Sequence, residues 1–375
     1  MAADAAEPMS ARSEATAEPW VTVGEVDEAA VVAAIDRRFR VLVRERPWPS
    51  HAVGPGDDAA LVPAGQAGVL VSTDAMGEGT DFLHRWPAGV RTRGHDVGFK
   101  AAAQNLSDIN AMGGRATALV SAVSVPADTT VRWLADVAGG MTAAVRALGA
   151  ERCRLAGGDL GTAQRAQIVV TALGDPAAAG VLRRAARPAP HGQDGAAPDE
   201  LLLVHAGTNV GWAAAGLALL LTPRADLQRR HARLPADARP RAREIARAVR
   251  GQLRPHPPLW AGPAAAGRLV CALDVSDGLG RDATRLAEAN GMTAWLDRRW
   301  VAARAEELAR LGRLCDADPR SWVVSGGEDY GLLGAAASLQ EVPEGFSVIG
   351  RLRRGGDSGP DGHERVRAEG WDHFG

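Results

Sequence analysis

Between residues 26 and 43 apolar positions recur three and four apart (Val26, Ala29, Ala30, Val32, Ala33, Ile35, Phe39), which predicts an amphipathic helix. A Pro- and Gly-rich break follows at 47–56, and the apolar run 69–72 reads as a strand ending in polar residues. Over 98–112 the period is again helical. Phe99, Ala102, Leu106 and Ile109 line one side, while Lys100, Gln104 and Asp108, at i, i+4 and i+8, share the other. Residues 118–125 and 168–173 read as strands, with a helix at 131–148 between them.

The segment 185–198 (AARPAPHGQDGAAP) has linker composition and marks the domain boundary. Beyond it, 201–204 reads as a strand and 210–221 as a helix. The Arg- and Pro-rich stretch 224–258 has acids interspersed and reads as a solvated helix with a connecting loop. Strands are predicted at 269–273, 322–324, 330–333 and 346–349, and helices at 281–289 and 302–311. Both halves mix strands and helices without regular βαβ alternation, which predicts an α+β protein of two mixed α/β domains. The expected division is a disordered tail over 1–20, an N-terminal domain over 21–180, a linker over 181–198 and a C-terminal domain over 199–375.

Charge narrows the function classes. Lys+Arg 43 against Asp+Glu 45 gives a net charge of −2, so there is no global pull toward nucleic acid or anionic membrane. No run of 18 apolar residues occurs, so no membrane span is expected, and the acidic first residues lack the apolar core of a secretory signal. Cys153, Cys271 and Cys315 are odd in number and widely spaced. That excludes a disulfide framework or Cys-rich zinc site as an organising feature and fits the cytoplasm. Lys100 is the only lysine and Tyr330 the only tyrosine, so both are candidates for a specific task.

The chemical signal is a series of acids beside glycine or hydroxyl residues at the ends of apolar runs. These are Gly56-Asp57-Asp58, Ser72-Thr73-Asp74, Ser107-Asp108, Gly157-Gly158-Asp159, Asp274-Val275-Ser276-Asp277-Gly278 and Ser325-Gly326-Gly327-Glu328-Asp329-Tyr330. One such acid is ordinarily a turn or helix cap. Several brought together need cations or protons, because two carboxylates about 4 Å apart repel by roughly 4 kcal/mol at an effective dielectric near 20. Hard oxygen ligands favour Mg²⁺ or Ca²⁺ over zinc, and Mg²⁺ commonly shares its shell with substrate phosphates. Neighbouring glycines open backbone N–H groups to phosphate oxygens. The residues therefore point to a Mg²⁺-dependent, phosphate-handling enzyme with its site between two domains. No G-x-x-x-x-G-K-[ST] loop, protein-kinase motif set or Ser-His-Asp arrangement accompanies them.

Taken together, GDDAAL (56–61), VSTDAMGEG (71–79), KAAAQNLSDINAMGG (100–114), LAGGD (155–159), DVSDGL (274–279), SGGEDY (325–330) and the closing GWDHF (370–374) resemble thiamine-monophosphate kinases. These belong to the superfamily of aminoimidazole-ribonucleotide synthetase and selenophosphate synthetase. The resemblance implies ATP-dependent phosphorylation of thiamine monophosphate to thiamine diphosphate, with a homodimer formed through the N-terminal sheet. It places Asp58, Ser72, Thr73, Asp74, Asp108, Asp274 and Asp277 around Mg²⁺. Gly158, Asp159 and Ser276 contact ATP or its metals, Asp159 also counting among the metal ligands, and Arg184 matches an ATP-contacting arginine. Glu328 and Trp371 match substrate contacts. Asp81 stands where the family often has a substrate-contacting histidine, and it too is a candidate substrate residue.

The acceptor is already a phosphate monoester and needs little general-base help. Catalysis is therefore expected to be direct in-line transfer by positioning and charge neutralisation. Asp74, Asp277 and Lys100 are the candidate catalytic residues. The rival readings are another ATP-using activity of the superfamily and a non-catalytic nucleotide-binding relative.

Overall fold

The computed structural model describes residues 21–22, 25–26, 28–45, 47, 68–186, 198–355, 359–366 and 370. The predicted tail, most of the linker, Asp58 and Trp371 lie outside the described residues. In chain order the elements of the first half are α1 (Glu28–Glu45), β1 (Leu70–Gly77), α2 (Gly94–Ala111), β2 (Arg115–Val125), α3 (Val131–Ala147), β3 (Arg154–Thr162) and β4 (Gln167–Asp175). The second half begins with β5 (Glu200–Ala206), α4 (Trp212–Leu221), α5 (Arg224–Arg233), α6 (Ala242–Leu253), α7 (Ala261–Ala265) and β6 (Cys271–Asp274). It continues with α8 (Leu279–Glu288), β7 (Thr293–Asp297), α9 (Arg298–Cys315), α10 (Pro319–Ser325), β8 (Leu332–Ala336), β9 (Ser347–Arg353) and β10 (His363–Arg365).

The first sheet runs β1-β4-β2-β3, with only the β2–β3 pair parallel. Its inner face is closed by α2 and α3 over a core that includes Phe82, Leu106, Ile109, Met141 and Ile168. The two helices cross closely because small residues meet there. A Cβ added to Gly98 would lie 1.8 Å from the Val137 carbonyl oxygen, so only glycine lets the backbones approach. On the outer face of this sheet Val71 is 64% and Val120 37% exposed.

The second sheet, β10-β7-β9-β5-β8-β6, is antiparallel throughout. Helices pack on it over a core that includes Leu203, Leu219, Leu279, Leu308 and Ile349. The predicted strand at 322–324 is instead part of α10. Asp318 caps that helix by accepting from the Arg320 N–H, and Pro319 opens its first turn, which outweighs the β-branched pair Val323-Val324. The Arg-rich stretch forms two helices, α5 and α6, and not one. Strands β3, β7 and β10 were not anticipated.

Helix α2 joins the two halves. Near its first turn Asp96 accepts from Arg254 Nε at 2.5 Å, while the same side chain caps the helix through the Arg93 N–H. Near its last turn Asn110 Oδ1 accepts from the Gly262 N–H at 2.7 Å.

Candidate active site

The polar stripe predicted on α2 faces the boundary between the domains. Ser72 and Asp74 alternate inward on β1, toward α2, and Ser72 Oγ donates to Asp108 Oδ2 at 2.5 Å. From the adjacent position on α2, Ser107 Oγ donates to Asp274 Oδ2 at 3.0 Å, at the end of β6. Asp74 shares a hydrogen bond with Asp108 and receives another from Gln104.

Electrostatics mark these acids as abnormal. Burial pushes the Asp108 carboxyl up to about 8, and the charges of Asp274 and Asp74 add to the effect against the pull of the Ser72 hydroxyl. Burial pushes Asp274 up to about 7, reinforced by Asp282 and opposed by the Ser107 hydroxyl. Asp74 is also raised, first by burial and then by the charges of Asp81 and Asp277, against hydrogen bonds from Asp108 and Gln104. Near neutral pH, protons therefore offset part of the negative charge that a cation would otherwise balance.

Asp277 comes from the turn after β6. It pairs with Arg285 Nη1 at 2.5 Å, and its N–H donates to the buried Asp282 at 3.0 Å. Ser276 gives its carbonyl to the Glu328 N–H at 2.7 Å. Lys100 is buried and ion-pairs with Glu328 across the domain boundary, while its Nζ also donates to the Asp81 carbonyl at 3.2 Å. The only lysine thus ties together both described candidate substrate residues. The Asp81 carboxylate is spent on its own turn, accepting from the Gly77 N–H and Thr80 Oγ1, each at 2.7 Å.

A cleft of about 260 Å³ opens over Ser72, Asp108 and Asp274, with Leu70 and Met112 as apolar wall and Arg184 as its cation. A larger hollow of about 320 Å³, bounded by β7, α10 and β10, contains none of the predicted site residues.

Not every candidate joins this group. Thr73 points to the outer sheet face, where its hydroxyl meets Thr171 Oγ1 at 3.0 Å. Asp74, Val170, Ser121 and Gly158 form one cross-strand row, so Gly158 lies three strands from Asp74, about 14 Å at ordinary strand spacing. A Cβ at Gly158 would lie 1.7 Å from the Ser121 carbonyl oxygen, so the glycine is required by the β2–β3 approach itself. Asp159 falls in the next row, beside Ala122, and is exposed on the outer face.

Sequence reasoning did not single out Gln104, Ser107, Gln252, Asp282 or Arg285 as site residues. The first two stood on the α2 stripe and in the Ser107-Asp108 pair. Gln252, which donates to Glu328, had no sequence signal.

The donors gathered here are carboxylate and hydroxyl oxygens, which fit a hard divalent cation and not zinc. Among the described residues no three acids close on one point as a preformed metal site. That suits Mg²⁺, which keeps waters and takes substrate phosphates into its shell.

Residues 56–175 match the family of AIR synthase related proteins, N-terminal domain. The thiamine-monophosphate kinase of Mycobacterium tuberculosis is 36% identical over 378 residues, covering 98% of this chain and 97% of its own. The chain belongs to the thiamine-monophosphate kinase family. Within that family, the crystal structure of the Stenotrophomonas maltophilia enzyme superposes with TM-score 0.65 at 28% identity, covering 88% of this chain and 96% of its own. A structure described as AaThiL complexed with AMPPCP and TMP superposes with TM-score 0.63 at 22% identity, over 93% of this chain and 98% of that one, and shares the fold.

Proposed function

We propose that this chain transfers the γ-phosphoryl group of ATP to the phosphate of thiamine monophosphate, giving thiamine diphosphate and ADP. The observation that carries the reading is the meeting of Asp108 from one domain with Asp274 from the other on a single cleft, with Asp74 hydrogen-bonded to Asp108 and within reach of the Asp277 charge. Family membership at 36% identity and the neighbour bound to an ATP analogue and TMP support the same substrates.

In this reading Asp74, Asp108, Asp274 and Asp277 bind Mg²⁺ with Ser72 in support, and Arg184 meets ATP from the cleft rim. Mg²⁺, when bound, supplies charge neutralisation for the phosphoryl group in transfer. The chain orients acceptor and donor in line, and Lys100 holds Glu328 and the Asp81 turn where the acceptor docks. The acceptor oxygen is already anionic, so no side chain need remove a proton.

The open face of the first sheet supports a homodimer. Val71 and Val120 are exposed there, beside Thr73 and Asp159. A second copy covering this face would enclose both of those candidate residues. The three cysteines are buried and form no disulfide, in keeping with work in a reducing cytoplasm.

The test is formation of thiamine diphosphate from ATP and thiamine monophosphate by purified protein, with Mg²⁺ and with EDTA. Mg²⁺-dependent product is expected. Folded protein that binds ATP without turnover would replace this reading with a non-catalytic one.

A further inference from the structure

We infer that Gln252 is a positioning residue for the phosphorylated acceptor, acting through Glu328. The inference rests on the function proposed above. Glu328 and Tyr330 both adopt left-handed backbone, at φ 65° and φ 51°, which non-glycine residues hold only where their surroundings fix them. Here the fixing is visible. Asp329, between them, is buried and accepts from the Gly211 and Ala213 N–H groups at 2.6 and 3.3 Å, at the start of α4. The Tyr330 N–H donates to the Val275 carbonyl at 2.9 Å.

This backbone turns the Glu328 side chain into the space between the domains. Lys100 meets one carboxylate oxygen and Gln252 Nε2 meets the other. A carboxylate has no proton to give, so the amide must present its nitrogen. Gln252 is 3% exposed and sits where α6 packs on α4. A Cβ at Gly216 would lie 3.0 Å from Gln252 Cβ and 2.1 Å from the Ala248 carbonyl oxygen, so α6 cannot move closer. The amide is therefore held by packing, and it holds the carboxylate in turn.

A neutral donor suits this position. Lys100 already balances the Glu328 charge, and a second cation would leave a net positive charge facing the acceptor. The remaining lone pairs of Glu328, whose side chain is 27% exposed, stay available to substrate. The charged groups around the contact are Glu328, Lys100, Asp329 and the Arg254–Asp96 pair just beyond α6, which is closed on itself.

The test is steady-state kinetics of wild type, Gln252→Met and Gln252→Glu, varying thiamine monophosphate and ATP separately between about pH 6 and about pH 9. Gln252→Met keeps the length and removes the donor. Its KM for thiamine monophosphate should rise about tenfold or more, the scale of one hydrogen bond to a charged group, with the ATP KM within about twofold. Gln252→Glu can donate only while protonated, so its acceptor KM should approach wild type at low pH and climb as pH rises. An unchanged acceptor KM in Gln252→Met, equal changes in both KM values, or the same pH profile in both variants would overturn the inference. Wild-type protein forming no thiamine diphosphate would sink the functional reading and this inference with it, an outcome distinct from an active wild type with indifferent variants.

Discussion

Ser107 and Asp274 meet across the two domains, with Ser107 Oγ donating to Asp274 Oδ2 at 3.0 Å. The hydroxyl opposes the upward push of burial on that carboxyl. Ser107→Ala should leave Asp274 more fully protonated at neutral pH. The expected loss in kcat/KM for ATP is about fivefold near pH 7, one net hydrogen bond, shrinking near pH 9 where the carboxyl ionises in either protein. A pH–rate profile in which the deficit stays constant would argue against this role.

Asp74→Asn and Asp277→Asn keep the shape of each side chain and halve its capacity to accept. Each should lose about 100-fold or more in kcat, as removal of a transition-state contact does, while melting within a few degrees of wild type. Activity within about threefold of wild type in both would exclude them as ligands.

The raised carboxyls make stability depend on pH in a defined direction. An unfolded aspartate titrates near 3.9, whereas Asp274 and Asp108 are pushed up to about 7 and about 8 by burial in the fold. The folded state thus binds more protons between those limits. Their stabilising contribution is complete below about pH 4 and is lost as pH rises through about 7 and 8. In EDTA the Tm should fall between about pH 5.5 and about pH 8.5, and Asp108→Asn should flatten that slope. Added Mg²⁺ should raise the Tm more at the alkaline end, where protons no longer compete. A slope of the opposite sign would mean that other groups dominate.

The exposed sheet face makes a prediction about assembly. The protein should run as a dimer in light scattering. Val71→Arg, which puts a charge at a position 64% exposed in the single chain, should shift it toward monomer without lowering helix content. A wild-type monomer would remove the proposed role of this face.

Much of the site was legible because its residues repeat at a local period. Lys100, Gln104 and Asp108 could be placed on one side of α2 from spacing alone, and the acids at 74 and 274 stood at the ends of apolar runs. What escaped were features fixed by distant packing. Gln252 lies on an Arg-rich amphipathic helix, where a polar residue reads as solvated, and only the contact with α4 buries it. Strand β3 carries Gly157-Gly158-Asp159, which reads locally as a turn, and pairing with β2 alone extends it. The strand expected at 322–324 failed because a two-residue β-branched signal was weighed above Asp318-Pro319, a helix start.

One rigid helix carries both Lys100, beside the proposed acceptor contacts, and Asp108, in the cleft proposed for the nucleotide. Eight residues of α-helix span about 12 Å, and that separation cannot stretch without breaking hydrogen bonds. Helix α2 thus fixes the spacing between the Lys100–Glu328 pair and the cleft over Asp108 and Asp274. Under the proposed function a rigid spacing of this kind should suit one acceptor length, so thiamine diphosphate, longer by one phosphate, should not be consumed as a second acceptor.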